Sequence, residues 1–329
     1  MPGPSTDPIE RLEATLGLVR TAAPSKRMLV IVNPYATTVS DRLKNLVVYA
    51  LRGSYQVAAV DTEARGHATE LCRAAAREGY DVVVAFGGDG TVNEAANGLA
   101  NSDTPLTCLP GGSANVFCKL LGIPGEIVDA TEHLLRVADH FAPRQVDLGA
   151  VEGRRYTFSA GVGMDAHVVR GVDARPRLKA RFGPYFFLGA AFTTFARRYV
   201  IRPPRMFVEV GGETLVGVTT IVQNAEHYTY FHERPVDLAD GAWLDSGTLS
   251  GVVLRRGSLL GAPSLLVRGV FGRWRVAGHR QVTGFEGVTS LTVSSATGRP
   301  LPLQVDGDYI GEVTEARFTI RPQALTVVA

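Results

Sequence analysis

From Met28 the chain alternates short apolar runs with amphipathic stretches at helical spacing. Met28–Asn33 is a run of apolar residues closed by an amide, as in a strand buried on both faces. Ser40–Leu51 reads as a helix with Ser40 as its N-cap. Gln56–Asp61 is a second strand, and Ala64–Glu78, rich in Ala, Arg and Glu, a second helix. The pattern then predicts a strand over Asp81–Phe86, a helix over Thr91–Leu99, a strand over Leu106–Leu109 and a helix start over Ser113–Leu121. Strand and helix in strict alternation imply a parallel sheet with right-handed crossovers. In such sheets ligands bind beyond the carboxyl ends of the strands.

After about Arg144 the texture changes. Short β-rich segments follow at Gln145–Val151, Arg155–Ser159, Met206–Val210, Leu215–Gln223, Thr248–Leu254, Val288–Ser294 and Arg317–Arg321. Turn residues separate many of them, as in an antiparallel sandwich. One helical interruption spans Pro184–Tyr199, and Gly161–Asp165 reads as opening the first hairpin region, with Asp165 a turn or helix cap or a site residue. The expected division is a tail over residues 1–25, an α/β domain over 26–143, a β-sandwich over 144–312 and a C-terminal segment over 313–329. In the tail, Ile9, Leu12, Leu16 and Val19 share a helical face, suited to packing on the body or to a homodimer contact.

Composition narrows the class. The chain has 329 residues, about two domains at roughly 150 residues each. It is 45% hydrophobic, which excludes wholesale disorder. The net charge of +2 decides nothing, but 36 glycines exceed the ordinary share of about 7% and point to close backbone approaches. Three cysteines, without a CxxC pair, fit free thiols in a reducing compartment rather than a zinc site or a disulfide scaffold. No secretory leader pattern and no apolar run of about 20 residues occur. The expectation is a cytoplasmic protein, peripherally associated with the inner face of a membrane.

The candidate chemistry lies at the strand ends. Asp81–Phe86 runs into Gly87-Gly88-Asp89-Gly90-Thr91, where a helix opens. Glycines let backbone N–H groups approach phosphate oxygens, and the helix N-terminus adds a favourable dipole. Asp89, set among them, suits Mg²⁺ on a bound triphosphate. One strand later, Leu109-Pro-Gly-Gly112-Ser113-Ala-Asn115 repeats the design. Asn33, ending the first strand, and Asn115 suit either nucleotide contact or turn capping, and His67 either a helix cap or the pocket wall. The P-loop and GxGxxG patterns are absent.

Taken together, Asn33-Pro34, Thr62-x-x-x-Gly66-His67-Ala68, the Gly87–Glu94 loop, Gly111–Asn115, Gly161-Val-Gly-Met-Asp165-Ala166 and Val305-Asp306-Gly307-Asp308 resemble the diacylglycerol kinase catalytic-domain family of soluble lipid kinases, related to sphingosine kinases. The blocks occur in family order over about nine-tenths of the chain; the glycine-aspartate loop alone would also admit NAD kinases and phosphofructokinases. The resemblance implies a NAD-kinase-like α/β domain and a β-sandwich, an active site in the cleft between them, and a last strand, around Leu325–Ala329, that returns to the first domain. It implies an ATP-dependent lipid kinase that phosphorylates the hydroxyl of diacylglycerol or a similar lipid, with Mg²⁺. At matching positions Asn33, Thr62, Gly87, Gly88, Asp89, Gly90, Thr91, Gly112, Ser113 and Asn115 would meet the nucleotide, and Asp89 its metal. Asp306 would be the general base, with the reverse assignment of Asp89 and Asp306 left open. Two positions depart from the family: Asp308 stands for its glutamate, and Ser246 for a metal-binding aspartate, leaving Asp245 beside it as the carboxylate for a structural metal. An NAD kinase, or a catalytically idle nucleotide-binding protein on a membrane, are the alternatives.

Nine Lys or Arg residues and one acid lie between Arg170 and Arg205. They enclose an aromatic run, which suits a core helix covering the sandwich with its basic ends in water, or contact with an anionic membrane surface through Arg177, Lys179, Arg181, Phe186, Phe187, Arg197 and Arg198. A second basic stretch, Arg255–Arg280, carries six arginines and no acid. No nucleic-acid-binding motif accompanies either stretch.

Overall fold

The computed structural model describes residues 26–36, 38–138, 140–173, 189–191, 193–194, 199, 203–231, 233–258, 261, 264–265, 267–268 and 275–329. The expected membrane contacts Arg177, Lys179, Arg181, Phe186, Phe187, Arg197 and Arg198 and the helical face Ile9–Val19 lie outside the described residues. The chain divides into two compact units, one running to Val146 and taking in Ala324–Ala329, the other spanning Asp147–Gln323.

The first unit alternates β1 (Arg27–Val32), α1 (Asp41–Leu51), β2 (Gln56–Asp61), α2 (His67–Arg77), β3 (Val82–Gly87), α3 (Asp89–Leu99), β4 (Leu106–Pro110), α4 (Val116–Leu120) and α5 (Ile127–Val137). Its sheet runs β2-β1-β3-β4, all parallel. From β1 the chain goes first to one side, β2, and then to the other, β3, so the strand order reverses between β1 and β3. Every residue of β3 and β4 is buried, as their apolar runs require for central strands. The last strand, β18 (Glu315–Val327), ends here beside β4, with Val327 opposite Leu106.

Helix starts follow capping chemistry rather than composition. Ser40 accepts the Leu43 N–H at 3.2 Å and starts α1. The pattern places the start of α2 at Ala64, but Gly66 at φ +86° forms its N-cap, so the helix opens at His67. The Asp89-Gly90 pair, read as loop, is the first turn of α3, where a carboxylate is favoured by the helix dipole. Helix α5 has no counterpart among the expected elements; it buries Val128, Ala130, Thr131 and Leu134 along one face.

The second unit contains β5 (Arg144–Val151) from Asp147 onward, β6 (Arg154–Tyr156), β7 (Ser159–Val162), α6 (Met164–Asp173), β8 (Met206–Val210), β9 (Glu213–Gly217) and β10 (Thr219–Gln223). Then come β11 (Thr229–Phe231), β12 (Arg234–Val236), β13 (Leu249–Leu254), β14 (Val282–Val288), β15 (Ser290–Ser295), β16 (Leu301–Val305), β17 (Asp308–Val313) and the body of β18. One sheet orders β14-β13-β10-β7-β16-β17 and is antiparallel throughout. The other sets β18, β15, β8 and β9 side by side, with β5 against β18 and β6. Tyr156, Val162, Met206, Leu291, Leu303 and Phe318 come from both sheets into one core, each burial stabilising by about 1.5–3 kcal/mol. Gly161–Asp165 does not open a hairpin region: β7 runs into helix α6, which the expected, mostly β pattern did not include. The segment Leu215–Gln223, predicted as one strand, is two, parted at Val218.

Candidate functional site

In the first unit, the sequence-predicted phosphate loops come together at the strand-order reversal. Asn33 follows β1; its backbone N–H donates to Phe86 O at 2.9 Å and its Nδ2 to Thr91 Oγ1 at 3.1 Å. Its Oδ1 accepts the Tyr35 N–H at 3.0 Å. One asparagine thus caps its own turn and ties that turn to the Gly87–Thr91 loop. From the same turn, the Thr38 N–H reaches Gly111 O at 3.2 Å.

The two glycine loops touch backbone to backbone. Gly111 N–H donates to Gly87 O at 2.9 Å. A Cβ on Gly111 would stand 2.9 Å from Gly87 Cα, and one on Gly112 would stand 2.7 Å from Gly88 Cα. A Cβ on Gly87 would meet Thr91 Oγ1 at 2.5 Å. Glycine is required at these positions because another chain segment occupies the space, not because of a left-handed backbone. Asn115 is the left-handed residue, at φ +50°. Its Oδ1 accepts the Gly112 N–H and its Nδ2 donates to Gly112 O, each at 2.8 Å, a reciprocal clamp that shapes the loop.

Asp89 is half-buried in the first turn of α3, and its Oδ1 accepts the Phe117 N–H of α4 at 3.2 Å. It therefore sits where two helix N-termini direct N–H groups, a setting that favours negative charge and phosphate alike. Ser113 is exposed on the second loop, and Thr62, partly exposed after β2, donates its N–H to Val32 O at 2.8 Å. His67, the first residue of α2, closes the turn before the helix: its Nδ1 accepts the Glu63 N–H at 3.1 Å. Beneath the loops, Cys118 is held well above the ordinary thiol range, first by the neighbouring Cys108 thiol and then by burial and the Asp89 charge. Burial, with Glu94 nearby, pushes Cys72 to about 12. All three cysteines are buried free thiols.

Among the described residues no group of three or more His, Cys, Asp or Glu side chains converges. The donor set at the loops, one carboxylate among backbone N–H groups, fits a Mg²⁺ that brings phosphate and water as its other ligands rather than a protein cage.

In the second unit, Asp306 and Gly307 form the two-residue turn between β16 and β17, at φ +46° and +80° with Val305 opposite Asp308, the geometry of a hairpin Asp-Gly turn. The Asp306 carboxylate is buried. Its Oδ2 accepts from Thr157 N at 2.7 Å and Thr157 Oγ1 at 2.9 Å, and its Oδ1 from Phe158 N at 3.0 Å and Ser159 N at 3.1 Å. Four donors engage it, and they explain why the predicted strand Arg155–Ser159 breaks into β6 and β7. The expectation that Asp306 is the general base meets this obstacle: to take a proton its carboxylate must give up donors of its own fold. The same bonds anchor the Asp306-Gly307 turn to Thr157–Ser159. Asp308 is partly exposed, 3.9 Å from Arg154.

Asp245 is exposed, and the loop around it is satisfied without it. Ser246 Oγ accepts from Thr248 N at 3.3 Å and donates to Thr248 O at 3.1 Å, while buried Asp147 accepts from Gly247 N at 2.6 Å and Gln323 N at 2.8 Å. Asp245 itself points from an exposed position of this hydrogen-bonded loop. His227 contacts Asp237 through Nδ1 at 2.6 Å. Sequence reasoning did not single out Tyr228 and Gln304, whose side chains both reach buried Asp165. Burial holds the Asp165 carboxyl above its usual range, while the two hydrogen bonds act the other way.

The two glycine loops belong to a parallel α/β unit, and the Asp306 turn belongs to a β-sandwich unit. Residues 27–151 match the family model of the diacylglycerol kinase catalytic domain. Over those residues the chain is similar to that family, and the likeness supports a kinase-type enzyme acting on lipid at family level. The chain is 27% identical over 278 residues to a diacylglycerol kinase of Staphylococcus haemolyticus, covering 82% of this chain and 78% of that one. A Staphylococcus aureus (strain bovine RF122 / ET3-1) diacylglycerol kinase is 27% identical over 296 residues, 88% of each. Two solved chains from Bacillus anthracis share the fold: one at TM-score 0.71 and 23% identity, over 92% of this chain and 97% of that, and one described as a diacylglycerol kinase at 0.66 and 20%, over 92% and 96%.

Proposed function

We propose that this protein transfers the γ-phosphoryl group of ATP to the hydroxyl of diacylglycerol or a similar lipid. The observation that carries the reading is the pair of glycine loops in backbone contact at the strand-order reversal, with half-buried Asp89 in the first turn of the helix they open. Phosphoryl transfer asks mostly for positioning and charge stabilisation. Backbone N–H groups of Gly88–Gly90 and Ser113, with the N-terminal turn of α3, would bind the phosphates. Asn33, Thr62 and Asn115 would hold the surrounding turns. Mg²⁺, when bound with the nucleotide, supplies charge neutralisation, and Asp89 is the carboxylate placed to meet it.

Of the two candidate carboxylates, Asp89 takes the Mg²⁺ side of the reaction. It is half-buried in the first turn of α3, whereas Asp306 is buried and accepts from Thr157, Phe158 and Ser159. In this reading Asp306, on giving up part of those bonds, would take the proton of the acceptor hydroxyl, a contribution of about 10²–10⁴-fold, and the same bonds fix the turn that presents Gly307 and Asp308. Membrane docking through the basic and aromatic segment 177–198 belongs to the same proposal; no helix of the described residues is long and apolar enough to cross a bilayer.

The test is Asp89→Asn, which keeps size and the acceptor for Phe117 N–H. Lipid phosphorylation should fall at least about 100-fold with an unchanged unfolding midpoint. Wild-type turnover in the variant would sink the assignment of Asp89, and with it the reading of the loops.

A further inference from the structure

We infer that Asp165, acting through Gln304, is a positioning residue for the Asp306-Gly307 turn. Asp165 is buried at the second position of α6, and Gln304 is buried next to the end of β16. Gln304 Nε2 donates to Asp165 Oδ2, and the Tyr228 hydroxyl donates to Asp165 Oδ1. The other end of the same amide faces the turn: Gln304 Oε1 accepts the Gly307 N–H at 2.9 Å. Glutamine can serve both neighbours only in one orientation, and Asp165, an acceptor on both oxygens, selects it. A flipped amide would set Nε2 against the Gly307 N–H and Oε1 against a carboxylate.

The room for this pair is built into the strand beside it. Gly161 lies opposite Gln304 in the β7–β16 register. A Cβ there would stand 2.5 Å from Asp165 Oδ2 and 3.0 Å from Gln304 Nε2. Gly161 and Asp165, four residues apart in one motif, are thus two halves of a single requirement. The turn is held on one side by the Asp306 carboxylate and on the other by this relay, in which Asp165 acts on Gly307 through the Gln304 amide.

The inference rests on the proposed kinase reading for its catalytic consequence, but its geometry has an independent readout. In Gln304→Met, amide exchange at Gly307 should quicken about fivefold, the worth of one hydrogen bond of roughly 1 kcal/mol. The same variant should lower kcat with KM for ATP unchanged, because the nucleotide loops belong to the other unit. Gln304→Glu sets two buried carboxylates face to face and should be worse in both activity and thermal midpoint. Adding Asp165→Asn to Gln304→Glu restores the order of donor and acceptor with the two groups exchanged. The new amide at position 165 donates to the new carboxylate at position 304, which also accepts the Gly307 N–H. The double variant should recover at least about tenfold in kcat over Gln304→Glu, or recover folding if the single variant does not fold. Wild-type exchange and kcat in Gln304→Met, or a double variant no better than Gln304→Glu, would overturn the inference. Should the wild-type protein phosphorylate no lipid, the kinase reading fails, and the Gly307 exchange and the folding rescue still decide the positioning role.

Discussion

Replacing Gly112 by alanine inserts one methyl group between the two phosphate loops. The new Cβ would stand 2.7 Å from Gly88 Cα, where ordinary contact begins at 3.4 Å, so two backbones must part by about 0.7 Å. Neither can yield freely. Gly88 is the N-cap of α3, and Gly112 is clamped by Asn115 through two bonds of 2.8 Å. Overpacking of this kind costs about 1–3 kcal/mol of stability. The functional cost should be larger, since a displacement near 1 Å at a reacting centre reaches about 100-fold. We expect ATP affinity, by calorimetric titration, and kcat to fall at least about tenfold, with a modest drop in thermal midpoint. Gly171→Ala is the control: nothing lies within 4 Å of a Cβ there, and the helix should gain slightly. Wild-type ATP binding and kcat in Gly112→Ala would refute the close-packed cradle.

Two further outcomes follow from the physical chemistry. His279 is held below its usual 6.5, first by burial and then by the Arg268 and Arg280 charges, and its Nδ1 accepts the Gln281 N–H at 3.2 Å. A depressed imidazole contributes stability above pH 6.5 that is lost as pH falls from 6.5 through the lower folded value. The denaturation midpoint of His279→Asn should therefore fall less than the wild type's below pH 6.5, and parallel curves would remove His279 from the pH response. Changing Arg177, Lys179, Arg181, Arg197 and Arg198 together to Gln should weaken binding to anionic vesicles, at about 1 kcal/mol per charge in low salt, while a short-chain soluble acceptor is still phosphorylated. Unchanged vesicle binding would exclude that segment as the docking surface.

The parts of the fold that were legible in the sequence are those with local causes. Buried parallel strands appear as unbroken apolar runs, and the Gly87–Thr91 and Gly111–Asn115 loops announce themselves by paired glycines. Helix α6 was not legible, because its β-branched Val168, Val169 and Val172 and its Gly171 carry a weak helical signal, and it is held by tertiary packing. The anchoring of Asp306 was out of reach for another reason: its donors at Thr157–Ser159 lie 147 to 149 residues away in sequence. Tyr228 and Gln304 likewise reach Asp165 across 63 and 139 residues. Motif spacing singled out Asp89 and Asp306, but the burial of each and the bonds each accepts depend on residues far along the chain.

The measurement that bears most directly on the central proposal is transfer of label from γ-³²P-ATP in the presence of Mg²⁺, offered in parallel to diacylglycerol vesicles, a sphingoid base and NAD. A lipid kinase yields labelled phospholipid or phosphorylated sphingoid base, dependent on Asp89 and abolished by excess chelator. Label on NAD alone, or no transfer to any acceptor by folded protein that binds ATP, would contradict the proposal.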